Sequence, residues 1–112
     1  MGKREDLIGK YAQDLQTACG IAADKALLTK VTLGCGPAIY DAGTETIAPD
    51  TAEIAAIRRN FLIRKLGLKD GPELTEAIEA VIEAYGTAQQ PKYRAVVYYL
   101  LVTHFRKQAL YA

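Results

Sequence analysis

The longest unbroken run of apolar and aromatic positions in the chain is Ala95 to Val102, at the centre of Tyr93–Phe105 (YRAVVYYLLVTHF). Its Val-Val-Tyr-Tyr middle has a β-forming composition, and a short apolar run fits a buried strand or a buried helix equally well. The flanks favour a helix. Pro91 suits a first turn, Gln90, or Thr87 in a Thr-x-x-Gln capping box, is placed as N-cap, and Arg106 and Lys107 suit the negative C-terminal end. The span Pro91 to Gln108 is ordinary for a helix and too long for a strand. At about 100° per residue, Tyr93, Val97, Leu100, Leu101 and His104 share one side, while Tyr98, Val102, Phe105 and Ala109 take another. A helix apolar around most of its circumference is expected to be buried on most of it, as the core of the fold. Its apolar run falls far below the roughly twenty residues that cross a bilayer, so no membrane span is expected.

The rest of the chain patterns at helical spacing. Leu7, Ile8, Tyr11, Leu15 and Ala18 form one stripe with Asp6, Lys10, Gln13 and Thr17 facing away, which predicts a first helix from about Lys3 to Cys19, stopped by Gly20. Asp24 reads as the N-cap of a shorter second helix with Leu27, Leu28 and Val31 inward, ended by Gly34-Cys35-Gly36-Pro37. From Pro37 to Pro49 at most one helical turn is expected. Asp50 with Glu53 predicts a reciprocal capping box opening a third helix, Thr51 to Leu66, with Ile54, Ile57, Phe61 and Leu62 inward and Gly67 as its stop. Pro72 opens a fourth helix to Tyr85, whose Leu74, Ala77, Ile78, Val81, Ile82 and Tyr85 make the cleanest stripe, and Gly86 closes it. Thr75, Glu76, Glu79 and Glu83 opposite them read as a solvated face. The expected fold is all-α: a single compact domain of about five helices over residues 1–112, with a largely buried C-terminal helix.

Fourteen Lys and Arg against thirteen Asp and Glu leave a formal charge of +1, so no global field draws the protein to nucleic acid or to an anionic membrane. The N-terminal MGKREDLIGKYAQDL lacks the hydrophobic segment of a signal peptide, and a cytoplasmic location is expected. Cys19 and Cys35 are the only cysteines and His104 the only histidine, which is too few at the wrong spacings for zinc; no metal and no cofactor is expected.

Catalytic readings start at His104, which the wheel points into the packed side, where a neutral imidazole serves as a hydrogen-bonded core residue. The chain contains no serine, so a Ser-His triad is impossible, and a Cys-His pair would require folding to bring Cys19 or Cys35 to the ring. Gly34-Cys35-Gly36-Pro37 lacks the spacing and the following lysine of a phosphate loop and reads as a turn with positive-φ positions. Arg58, Arg59, Arg64 and Lys65 put four cations on the third helix without building one stripe, so nucleic-acid binding is the weaker reading. Arg58 itself projects from the middle of the apolar side. It is therefore expected to be held by a carboxylate or carbonyls, with Asp41 after Ile39 and Tyr40 as the nominated partner, or to border a groove or subunit interface.

The segments KYAQDL (10–15), VTLGCGPAIYDA (31–42), RNFLIRKLGL (59–68) and KYRAVVYYLLVTHF (92–105) together resemble a small family of bacterial proteins known only as domain of unknown function 2853. The resemblance implies a compact helical protein and carries no activity, substrate or site residue with it. Seven tyrosines without a tryptophan, three of them on the last helix, exceed what one small core needs, and tyrosine favours interfaces. The leading expectation is a non-enzymatic protein-interaction module that self-associates through Tyr98, Tyr99, Val102 and Phe105. The alternatives are nucleic-acid binding through the third helix and, behind it, an enzyme built around His104.

Overall fold

The computed structural model describes residues 2–48, 50–86 and 92–111. Helix α1 spans Lys3–Cys19 and ends at Gly20, whose φ of 67° lets its N–H turn back to the Gln16 carbonyl. Ile8, Tyr11 and Leu15 are buried along its inner stripe, with Leu7 and Ala18 packed at the edges. Helix α2, Lys25–Gly34, is capped by Asp24, whose carboxylate accepts from the Leu27 amide at 3.2 Å. The positive φ of Gly36 then breaks the direction. A 3-10 turn at Gly36–Tyr40 and the four-residue α3, Ala42–Glu45, fill the stretch expected to hold one turn at most, so this region is more ordered than its composition suggested.

Asp50 caps α4, Thr51–Ile57, by accepting from the Glu53 amide at 2.8 Å. The reciprocal half of the expected capping box does not form, because the Glu53 carboxylate goes to Arg94 instead, 3.3 Å away. The helix continues without a break as a π-helical segment, Arg58–Ile63, in which Arg64 donates to the Arg59 carbonyl and Leu66 to that of Phe61. This wider turn places Ile57, Phe61, Leu62 and Leu66 inside together. Helix α5, Pro72–Tyr85, buries all six residues of its predicted stripe and leaves Glu76, Glu79 and Glu83 exposed.

Helix α6, Arg94–His104, lies at the centre and packs against α1, α2, α3 and α5. Ala95 to Val97 and Tyr99 to Val102 are buried, and each fully enclosed aliphatic side chain there contributes about 1.5–3 kcal/mol. The helix is shorter at both ends than expected. Thr87, Gln90 and Pro91, nominated for its start, lie outside the described residues; Tyr93 is extended and forms an antiparallel bridge with Thr46, with the Ile47 amide donating to the Lys92 carbonyl at 2.9 Å. At the other end Arg106 takes a φ of 56°, and a separate 3-10 turn follows at Gln108–Tyr111. The Cα radius of gyration, 13.0 Å, matches the about 13 Å of one compact domain of this length.

Tyrosine hydroxyls fasten these helices to one another. Tyr11 donates to Glu45 Oε2 at 2.7 Å, where Lys10 Nζ also donates at 2.7 Å. Tyr85 donates to Asp14 Oδ2 and accepts the Tyr93 amide. Tyr99 accepts from the Asp24 amide at 2.9 Å, at the start of α2. Burial pushes the Tyr11 and Tyr85 hydroxyls well above the usual phenol range, and the partner carboxylates add to it, so both remain donors. For Glu45 burial alone would raise the carboxyl, but the hydrogen bonds from Lys10 and Tyr11 outweigh it and hold it below its ordinary value. A depressed folded-state value means that the stabilisation is present above the unfolded-state value and is lost as the pH falls through the folded one. Glu45→Gln is therefore expected to lower the unfolding free energy by about 1–3 kcal/mol at neutral pH, with the gap to the wild type closing in acid. Chemical denaturation of both proteins across the carboxylate range checks this, and a gap that stays constant with pH contradicts it.

Candidate functional site

Four stretches distant in sequence meet around a cleft of about 390 Å³. The end of α2 supplies Cys35, the π segment and the residues after it supply Phe61 and Lys65, α6 supplies Arg94 and Tyr98, and the C-terminal turn supplies Tyr111. The rings of Phe61 and Tyr98 stack face to face with centroids 3.9 Å apart and planes 12° from parallel, so buried Phe61 backs the Tyr98 ring at the cleft. The register of the π segment is what puts Phe61 there.

Arg94 is the polar anchor of the cleft. Its Nε donates to the Thr44 carbonyl at 2.8 Å, Nη1 to the Tyr98 hydroxyl at 3.2 Å and Nη2 to Glu53 Oε1 at 3.3 Å. Burial works against its charge, but Tyr98 and Glu53 outweigh it and the guanidinium is stabilised as the cation. Lys65 Nζ lies 5.4 Å from the centroid of Tyr111 and forms no ion pair among the described residues. The Cys35 thiol is pushed up to about 11 by burial, only partly offset by Arg94, and therefore stays protonated near neutral pH.

A family model described as Protein of unknown function (DUF2853) matches residues 10–109. The chain belongs to the DUF2853 family. No match was found among curated proteins. The matched span of this DUF2853 member includes every cleft residue named above except Tyr111.

Several of the residues singled out from the sequence have other roles in the DUF2853 fold. His104 is exposed, not packed inside, because α6 ends there; its ring meets Phe105 edge-on at 4.9 Å and borders a shallow groove with Ala80, Ala84 and Leu100, apart from Cys35. Tyr99 and Val102 are 4% and 0% exposed, so the protein's own core takes up two of the four nominated interface residues. Tyr98 belongs to the cleft wall, and Phe105 is half-buried against the core. Tyr40 is exposed beneath Lys3, and Asp41 caps α3 by accepting from the Gly43 amide at 2.8 Å. Arg58 thus does not meet Asp41. Its Nη1 lies 3.7 Å from Asp70, while its Nε is buried without a hydrogen bond among the described residues.

Arg94, Lys65 and Tyr111 were not foreseen as a site. The one signal was the pairing of Ile57 with Leu62 and of Phe61 with Leu66, each five residues apart, the spacing that a widened turn aligns. Among the described residues no cluster of His, Cys, Asp and Glu could hold a metal ion, and no helix is long and apolar enough to cross a membrane.

Two outcomes follow from this geometry. Alkylation of Cys35 by iodoacetamide, followed by mass spectrometry, is expected to accelerate only toward pH about 11, and rapid modification near pH 7 contradicts a protonated thiol. Arg58→Met is expected to leave the unfolding free energy unchanged or raise it by up to about 1 kcal/mol, since a long, exposed ion pair contributes little and a buried N–H without a partner is removed. A loss of more than about 2 kcal/mol in denaturant melts would show the pair with Asp70 to be structural.

Proposed function

We propose that this protein acts by binding a small molecule rather than by catalysis, in the bacterial cytoplasm, with the cleft between α2, the π segment and α6 as its working surface. The observation that carries this reading is the convergence of Tyr98 and Tyr111 with Arg94 and Lys65 around a cleft of about 390 Å³, within the size range of ligand sites. Two features speak against chemistry there: Cys35 is held protonated, and His104 borders a different depression. Nucleic-acid binding loses support because the four cations are divided, with Arg58 facing Asp70 and Lys65 over Tyr111. NMR spectra of the isotope-labelled protein with an aromatic fragment set are expected to show shifts gathered at Cys35, Phe61 and Tyr98. Shifts that avoid the cleft sink the reading.

Self-association is a second reading, moved away from α6. Leu33 and Tyr40, each 47% exposed, border one shallow depression together. Sedimentation velocity at low micromolar concentration is expected to give a dimer that Leu33→Glu with Tyr40→Glu returns to monomer. A wild-type monomer ends this reading.

A further inference from the structure

We infer that the cleft selects a flat apolar molecule bearing a single carboxylate, that is, an aromatic monocarboxylate; the inference rests on the cleft being the functional site. The Tyr98 and Tyr111 rings at the cleft suit a planar π body, which can meet them in offset or tilted contacts, while Phe61, buried, backs the Tyr98 ring. The sign of the charge follows from the lining. Arg94 and Lys65 both border the cleft and, among the described residues, no Asp or Glu does, since Glu53 reaches Arg94 without lining the opening.

The charge number follows from the pairing. Glu53 already compensates Arg94, so Lys65 is the cation at the cleft without an ion pair among the described residues, and one carboxylate balances it. A guanidinium carries five N–H donors. Three of those on Arg94 are used, which leaves two, together with the Asn60 amide and the Tyr98 hydroxyl, to meet carboxylate oxygens. A phosphate fits poorly, because it carries nearly two negative charges near neutral pH and Lys65 alone is left among the described residues to balance them.

The test uses three probes that share one ring system and differ in charge: naphthoate, the neutral naphthamide and cationic naphthylmethylammonium. Each is titrated into the full labelled chain by NMR, which reads affinity and location together. Naphthoate is expected to bind tightest, roughly tenfold over the amide, and Lys65→Gln, a change at an exposed side chain, to remove most of that preference. An amide as tight as the acid, or an ammonium that is tighter, with shifts still at Phe61 and Tyr98, overturns the ligand class while leaving the cleft as a binding site. An acid preference that survives Lys65→Gln unchanged also overturns it. Shifts at the cleft from none of the three probes overturn the site itself.

Discussion

A phenol sealed away from water needs a partner for its oxygen, because an unmet buried hydroxyl costs about 1–3 kcal/mol. Tyr11 and Tyr85 have no exposed surface at all, so the elements around them are placed to satisfy that demand. Glu45 at the end of α3 comes to Tyr11, and Asp14 of α1 comes to Tyr85. Tyr85 in turn receives the amide of Tyr93, the residue from which α6 departs, and the Tyr93 ring settles 5.2 Å from that of Tyr11. The near end of the central helix is thus tied to the Tyr85 oxygen and packed on the Tyr11 ring, and a second oxygen, on Tyr99, ties the helix to the start of α2.

The same economy of polar groups shapes the cleft. Glu53 gives up its place in a capping box to pair with Arg94, joining the first turn of α4 to the first turn of α6. Arg94 then holds the Tyr98 hydroxyl, and the ring so oriented lies flat on Phe61. The cleft wall is therefore a by-product of how two helix beginnings are joined. Tyr98 is held both by its ring and by its oxygen.

Helix stripes and caps were legible from local pattern because their causes are local: the Asp24 and Asp50 caps, the stops at Gly20 and Gly67, Pro72 opening α5 and the six buried residues of that helix all stand as read. The surplus of tyrosine was legible as composition but not as role. The partners of Tyr11, Tyr85 and Tyr99 sit 34, 71 and 75 residues away, beyond any periodic signal, so the stripes placed Tyr11 and Tyr85 inside without their bonds, and Tyr99 was read as an interface residue. Arg58 was expected to meet a carboxylate and does, but Asp70 instead of the nominated Asp41, while the cleft went unforeseen for a geometric reason. A wheel at 3.6 residues per turn assigns the wrong angles through a π segment, and the cleft is built on that segment. His104 was misplaced because the helix was extended past Arg106, where the left-handed backbone turns the chain aside.

The long reach of the tyrosine bonds bears on how the chain is made. Asp14 and Tyr85 are separated by 71 residues and Asp24 and Tyr99 by 75, so the first two helices leave the ribosome well before the groups that complete them. At about 5–20 residues per second, the wait is on the order of several seconds. During that interval the apolar stripes of α1 and α2 lack the cover that α5 and α6 give them in the folded protein. The central helix is synthesised after the elements it covers, so the packing of α1 and α2 is completed only when that helix arrives.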